Sequence, residues 1–474
     1  MAIWTRITDH MSTQVYTRRT RIDAPVEVVF HWHTRPGALE RLTPPWTRVE
    51  VLERTGGIDD GGRVVLKMRL GPTHVRWVAE HCDYVAGRQF RDVQVEGPFA
   101  RWEHTHRFEP DGPTGCYLED HIEYALPFGP AGALVGGSFV RGLLERTFTY
   151  RHHTTAADIA THAAYPGEPL HVLVSGSSGL VGSALVPFLT SGGHRVTRLV
   201  RASRPGNAAA HWDPATGTLD AAGLDGIDAV VHLAGENIAG SRWTDATKAS
   251  IRDSRARGTR LLCERLAQLT RRPKVLVAAS AIGYYGDRGS TALDENTESG
   301  TGFLAEVCRA WEAATAPARD AGIRVVNLRI GVVLSPAGGA LAKLLLPFQL
   351  GAGGRVGSGG QYMSWIAIDD LLGVVLHAMR TQALNGAVNA VAPQPVTNAE
   401  FTTTLGRVLS RPTVLPLPAA AARLAFGEMA DEMLLASTRV VPARLSATRY
   451  AFRHPDLEGA LRHVLGKPEH RRFA

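Results

Sequence analysis

The stretch HVLVSGSSGLVGSALVPFLTSGGHRVTRLVR, which begins at His171, constrains this chain more than any other segment. It reads as an apolar strand, a glycine turn, an apolar-faced helix, a glycine stop and a second strand. Gly176, Gly179 and Gly182 are spaced G-x-x-G-x-x-G. The first suits a tight turn, the second lets backbone approach a pyrophosphate, and the third lets the helix lie close on the strand. Gly176, Ser177, Ser178, Gly179, Leu180, Val181 and Gly182 are therefore the expected phosphate-binding segment of a dinucleotide site.

At 474 residues the chain exceeds one ordinary core, so two or three domains are expected. Hydrophobic residues make up 44% and charged residues 20%, which excludes collagen-like, disordered and coiled-coil classes. The 52 basic and 45 acidic residues leave a formal charge of +7, spread without a basic block, and no nucleic-acid partner is expected. Cys82, Cys116, Cys263 and Cys308 lie far apart with no C-x-x-C pair, so neither a disulfide framework nor a zinc site is predicted. No apolar leader or unbroken apolar run of membrane-spanning length occurs, and a cytoplasmic protein is expected.

The periodicity changes at HAAYPGEPLHVLVSG. Upstream, VYTRRTRI, GRVVLKMRL, VRWVAEHCDYV, QFRDVQV, RWEHTHRFEP and CYLEDHIEYAL read as antiparallel strands separated by turn signals. Helical stretches flank them, APVEVVFHWHTRPGALERL and SFVRGLLERTFTYRHHTTAADIA, the latter with Phe139, Val140, Leu143, Leu144 and Phe148 as an expected apolar stripe. This order, with IDAPVEVVFHWH near its start, resembles the helix-grip, START-like polyketide-cyclase and lipid-transfer superfamily over about residues 12–162. The resemblance implies a cavity for a hydrophobic ligand. Eleven of the nineteen histidines fall in this part. His104 and His106 would share one strand face, whereas His31 and His33 fall in the predicted helix; with no third ligand evident, all are expected to be solvated or hydrogen-bonded surface groups, and no metal site is predicted.

Downstream, DAVVHLAGENIAG and KVLVAASAIGYYGD continue a strand–helix alternation whose carboxyl ends face cofactor and substrate. Leu233, Ala234 and Gly235 are expected near the adenosine. The second strand ends RLVRASR, with Arg201 where an NAD-preferring site has a carboxylate. A guanidinium there suits a 2′-phosphate, so NADP(H) is expected, with NAD less favoured and Arg204 as a second contact.

The segments SGSSGLVGSALVPFL, VVHLAGENIAGSRWT, SAIGYYGD, FLAEVCRAWEAA, VVNLRIGVVLSPAGGALAKLLLPFQLG and GSGGQYMSWIAIDDL resemble, in order across about residues 171–392, the epimerase-like branch of the extended short-chain dehydrogenase/reductases. The tail from NAVAPQPV onward is similar to the C-terminal domain of that branch. The implied architecture is α/β: a helix-grip α+β domain over 1–165, a Rossmann-like doubly wound parallel sheet over 170–392, and a small C-terminal α/β region over 393–474. The implied activity is that of an NAD(P)-dependent epimerase or oxidoreductase of unspecified small-molecule substrate, in a possible homodimer.

Such enzymes use a serine or threonine together with a tyrosine and a lysine four residues later. Ser280 matches the serine and is expected beside both cofactor and substrate. The Y-x-x-x-K pair has no match: the two plausible registers place Phe303 and Val307, or Leu304 and Cys308, at those positions. Tyr284 or Tyr285 could supply the proton instead, Glu306 or Glu295 could do so, or the domain could sense NADP(H) without catalysis. The glycine-rich stretch after β-strand VVNLRIGVVL reads as a mobile cover, with Lys343, Arg355, Gln361 and Trp365 as candidate pocket residues, and Asp369 and Asp370 read as caps of the following helix.

Overall fold

The computed structural model describes residues 13–468 apart from 72, 202–208, 215, 220–223 and 225. The chain forms two compact units, residues 1–164 and 165–474.

The first unit contains β1 (Gln14–Ile22), α1 (Val26–Thr34), α2 (Ala38–Leu42), β2 (Val49–Thr55), β3 (Arg63–Leu70), β4 (Thr73–Val85), β5 (Gln89–Glu96), β6 (Arg101–Pro110), β7 (Cys116–Ala125) and the 35-residue α3 (Gly129–Ala163). The seven strands form one antiparallel sheet in the order β1-β7-β6-β5-β4-β3-β2. Register shifts in β2–β3 and β4–β5 mark bulges, which bend such a sheet. α3 packs on the face it curls around, giving the expected helix-grip fold.

α3 starts nine residues before the predicted segment, and its apolar stripe differs from the predicted one. Leu144 and Phe148 are buried, but Phe139 is 70% exposed and Leu143 lies on the exposed side too. Helical geometry explains this: nine residues turn through about 900°, so Phe139 lies opposite Phe148. The buried face instead runs through Leu144, Phe148, His152, Thr155 and Ile159. His33, His104 and His106 are also buried, contrary to the expectation of surface histidines.

The second unit opens with β8 (His171–Ser175), α4 (Leu180–Ser191), β9 (Arg195–Val200), β10 (Ala209–Asp213), β11 (Thr218–Leu219), β12 (Ala229–His232), α5 (Asp245–Gln268) and β13 (Val275–Ala281). It continues through β14 (Ala292–Leu293), α6 (Phe303–Ala313), α7 (Ala316–Asp320), β15 (Arg324–Ile330), β16 (Val332–Leu334), α8 (Gly339–Gln349), β17 (Tyr362–Met363), β18 (Trp365–Ala367), α9 (Ile368–Arg380) and β19 (Gly386–Ala390). The main sheet has the order β11-β10-β9-β8-β12-β13-β15-β19 and is parallel except for the β10–β11 edge. This is the expected doubly wound α/β fold. Val172 and Val174 of β8 join the core on one face and Leu173 joins the core on the other, as period-two alternation requires of a strand covered on both sides.

Chain order reverses between β8 and β12, which makes the space beyond their carboxyl ends the topological switch point. The C-terminal helices Asn398–Leu409 and Leu457–Leu465 pack with α8 and α9 residues in a separate apolar cluster. Among the described residues no helix is long and apolar enough to cross a membrane.

Candidate active site

The glycine segment occupies the switch point. Gly176 has φ +68°, and a Cβ there would lie 2.7–2.8 Å from the Leu233–Ala234 peptide. Gly182 lies so close to the Gly176 carbonyl and to Ser177 that a Cβ would overlap both. Gly179, at the N-cap of α4, is different: its extended backbone accepts any residue, and a Cβ would meet only the Gly176 oxygen, at 3.3 Å. Two glycines thus permit the turn and the packing of α4, and the third is the least crowded of them, beside a helix N-terminus whose N–H groups suit an anion. Leu180 contacts the glycine pair at the start of α8, Gly338 and Gly339, where Cβ atoms would come within 3.2 Å of its methyl groups.

A buried polar chain holds the opposite wall. Ser175 Oγ accepts from the backbone N–H groups of Leu233 (3.2 Å) and Ala234 (3.4 Å). Its own proton then goes to His232 Nδ1 at 2.7 Å, which makes His232 Nε2–H the donor to Thr259 Oγ1 at 2.9 Å. Trp311 Nε1 donates to the same Thr259 oxygen. Burial pushes the His232 pKa down to about 4, so the ring stays neutral and bridges the two hydroxyls. Gly235 gives room to the Arg255 guanidinium, which would lie 3.2 Å from a Cβ there and which stacks over Trp311. The small residue at 235 thus accommodates a protein side chain. Arg201 follows β9 and is exposed, its carbonyl accepting from His211. Arg204 lies outside the described residues.

Ser280 and Tyr285 meet in a second buried network rather than standing free. Ser280 Oγ donates to Glu312 Oε1 at 2.8 Å, and Arg329 forms a two-pronged pair with the same carboxylate at 2.8 and 2.9 Å. Arg329 Nη1 also donates to the Tyr285 hydroxyl (3.0 Å), which donates to Asn389 Oδ1 (2.7 Å) and lies 2.9 Å from the Asp294 carbonyl. Burial raises the Tyr285 pKa, and the neighbouring guanidinium offsets part of that rise. With its hydrogen-bonding capacity already used, Tyr285 is a structural residue here, and the Ser280 hydroxyl faces Glu312 instead of an open space. Tyr284 is only half-buried; Arg329 stacks 3.4 Å from its ring centroid, and its hydroxyl makes no hydrogen bond among the described residues.

The positions of the absent Y-x-x-x-K pair are filled. Phe303 packs edge-on against Trp243 with the Lys248 ammonium 4.8 Å from its ring, while Lys248 pairs with Glu428. The Phe303 and Leu304 N–H groups donate to Glu432 at the start of α6, and Val307 and Cys308 are buried. Of the other candidate acids, Glu306 is exposed, and Glu295 is buried and accepts from the Asn389 and Arg444 backbone.

Several predicted pocket residues have structural roles instead. Trp365 is fully buried with its indole N–H on the Gln394 carbonyl, and Gln361 donates to the Val356 and Leu434 carbonyls. Lys343 donates to the Ala239 carbonyl, and Arg355 is exposed. Asp369 and Asp370 are buried and tie down the C-terminal segment: Asp370 accepts from the Arg453 and His454 N–H groups, and Asp369 bonds His463. Burial raises the Asp370 pKa to about 6. Both stand in the first turn of α9, where the sequence placed them, and their bonds also dock the C-terminal segment.

Sequence reasoning passed over His232, Glu312 and Arg329. A signal existed for two of them: a histidine closing the apolar strand AVVH and an arginine inside RVVNLRI each need a buried partner. Nothing local pointed to Glu312, which lies on α6 among helix-forming residues.

Comparison with known proteins agrees with this geometry. The NAD dependent epimerase/dehydratase family matches residues 172–390, a domain of unknown function matches 417–464, and the polyketide cyclase/dehydrase and lipid transport family matches 22–148. An epimerase family protein of Mycobacterium bovis is 46% identical over 297 residues, covering 63% of this chain and 98% of the relative. The crystal structure of the nucleoside-diphosphate sugar epimerase from Corynebacterium glutamicum superimposes with a TM-score of 0.79 at 37% identity, covering 95% of this chain and 90% of that one. The structure of a human epimerase family protein with NADPH is also 37% identical, with a TM-score of 0.58, covering 62% of this chain and 99% of that one. With a glycine turn between strand and helix at the switch point and relatives matched almost end to end, the chain belongs to the epimerase family, its Rossmann unit preceded by a START-like domain of the polyketide cyclase type.

Proposed function

We propose that this protein is an NADP(H)-dependent oxidoreductase or epimerase acting on a small carbonyl- or hydroxyl-bearing molecule, with the N-terminal domain holding a hydrophobic ligand. The carrying observation is the switch-point turn, in which Gly176 and Gly182 are closed by backbone within 3 Å and Gly179, the least crowded of the three, stands at the α4 N-terminus. There the Ser177–Val181 backbone would hold the pyrophosphate, and Arg201, exposed at the end of β9, would pair with the 2′-phosphate. The human relative bound to NADPH supports the same cofactor. Bound NADPH supplies a hydride. The residue best suited to move the accompanying proton is Tyr284, whose hydroxyl makes no hydrogen bond among the described residues and whose ring lies against Arg329. Ser280 is the weaker candidate because Glu312 engages its hydroxyl.

Arg201→Asp tests the cofactor assignment. Fluorescence titration should show NADPH affinity falling about 10- to 100-fold relative to NADH, the size of a charge-assisted bond. An unchanged ratio overturns the role of Arg201. Tyr284→Phe tests the chemistry: NADPH consumption against a panel of aldehydes, ketones and quinones should fall by roughly 10²- to 10⁴-fold with NADPH binding intact. Undiminished consumption removes Tyr284 from the mechanism. A second reading, an NADP(H)-responsive ligand carrier without turnover, draws on the Phe303–Trp243–Lys248 cluster where a tyrosine–lysine pair would stand. Tight NADPH binding without consumption across the panel would favour it.

A further inference from the structure

The N-terminal unit carries a buried polar belt that the dinucleotide chemistry does not use. Along β6, Trp102, His104, His106 and Phe108 face one side; along β7, Leu118, Asp120, Ile122 and Tyr124 do so. The outer members of both rows belong to two separate apolar clusters, and α3 repeats the arrangement with Phe148 on one side, His152 in the middle and Ile159 on the other. Three elements therefore place histidine or aspartate at the same level of the core. Asp92 of β5 joins them, standing opposite His104 in the sheet register.

The distances within the belt fall into two groups. Asp92 Oδ1 lies 3.3 Å from His104 Nδ1 and 3.3 Å from His106 Nε2. The other nitrogens of the same rings, His104 Nε2 and His106 Nδ1, lie 2.8 and 2.7 Å from Asp120 Oδ1. Asp120 Oδ2 is in turn 2.5 Å from His152 Nε2, whose Nδ1 meets Thr20 Oγ1 at 2.8 Å. Two ligand atoms of a tetrahedral ion with bonds of 2.0–2.1 Å stand about 3.3–3.4 Å apart. Both Asp92 contacts have this spacing, which for His106 Nε2 also falls within hydrogen-bonding reach, and the Asp120 contacts are about 0.5 Å shorter. Carboxylates that receive the far nitrogen of metal-bound imidazoles are the common outer support of such sites. Exposure agrees, since the Asp92 side chain is 18% exposed and that of Asp120 4%. An ion and its water could enter on the Asp92 side.

We propose that Asp92 Oδ1, His104 Nδ1 and His106 Nε2 form a binding site for one divalent transition-metal ion of the zinc or iron(II) class. Asp120 orients both imidazoles and His152 anchors Asp120. Two histidines and one carboxylate leave further positions open to water or to the oxygen of a ligand held by this domain. The sequence conceals the site because its third ligand comes from a different strand than the H-x-H pair.

The test is titration of the full-length protein, stripped with chelator, by Co²⁺ followed in visible absorption, with Zn²⁺ as competitor. The expected result is one equivalent of Co²⁺ giving a low-symmetry d–d band that Zn²⁺ displaces. Asp92→Asn and His106→Gln should each lower the affinity at least 100-fold, and Asp120→Asn about 10- to 100-fold. His121→Gln, on the opposite face of β7, should leave it unchanged. NADPH titration of every variant reports the integrity of the other unit, and circular dichroism reports that of the N-terminal one. Absence of the band in the wild type overturns the proposal regardless of how any variant folds. A band of unchanged affinity in both folded Asp92→Asn and folded His106→Gln overturns it equally, and would mean that the belt is a purely hydrogen-bonded network.

Discussion

Gly179→Trp abolishes measurable NADPH binding while the Rossmann unit keeps its fold. Gly179 sits at φ −76°, ψ 175°, a conformation open to every L-residue, and its Cβ direction meets only one atom within 4 Å. A Cβ there asks the Gly176 carbonyl to give by a few tenths of an ångström, whereas the bulk of an indole takes the place of a pyrophosphate seated on the α4 N-terminus. The expected loss is roughly a hundredfold or more in affinity, corresponding to about 3 kcal/mol. Far-ultraviolet circular dichroism and the thermal midpoint should stay near those of the wild type. Gly182→Ala should behave in the opposite way. Its new methyl group would overlap the Gly176 carbonyl, so stability falls by about 1–3 kcal/mol as the turn is forced open. Wild-type NADPH affinity in a folded Gly179→Trp protein would place the cofactor elsewhere.

Glu312→Ala destabilises the Rossmann unit by about 3–5 kcal/mol, the cost of stranding a buried charge. Arg329 is 4% exposed, and Glu312 is its sole carboxylate partner among the described residues. The same carboxylate receives the Ser280 hydroxyl, so its removal frees a second buried polar group. The remaining neighbours of the guanidinium, the rings of Tyr284 and Tyr285, provide cation–π contact without neutralising charge. Chemical denaturation of the full chain, followed at the transition of this unit, measures the loss. Glu312→Gln retains acceptor geometry and should lose less. Glu312→Leu combined with Arg329→Met should recover part of the Glu312→Ala loss, because an apolar pair of similar volume leaves no orphaned charge. A double variant no better than the single one would show that the network stabilises through its shape rather than through charge pairing.

Much of the architecture was legible in the sequence because it rests on local rules. The alternation in CYLEDHIEYAL is a strand with one covered face, and β7 has the buried pattern that this implies. The apolar run HVLVS is a strand covered on both faces, and four of its five residues are buried. The α3 stripe was misread for an equally local reason: its true boundary lay in a glycine-rich stretch that argues against helix, so the face was assigned from too short a window. Ser280 lies near the end of β13 and Tyr284 and Tyr285 in the turn that follows it. Which of them stays free to act could not be read, since that depends on Glu312, 32 residues beyond Ser280, and on Arg329, 44 residues beyond Tyr285.

By itself the sequence determined the periodicities, the turn chemistry and the glycine spacing, and hence a change of architecture near residue 165 and a glycine turn between strand and helix just beyond it. Each of these is set by backbone sterics and burial within about thirty residues. Tertiary structure alone decided the partners of the buried polar groups. It joined Ser175 to Leu233 and Ala234 through the order of β8 and β12, Glu312 to Arg329 by packing α6 on the sheet, and Asp92 to His104 and His106 by strand register. A buried polar atom must find a partner, but which one it finds depends on the register and docking of elements distant in the chain, and neither leaves a local pattern to read.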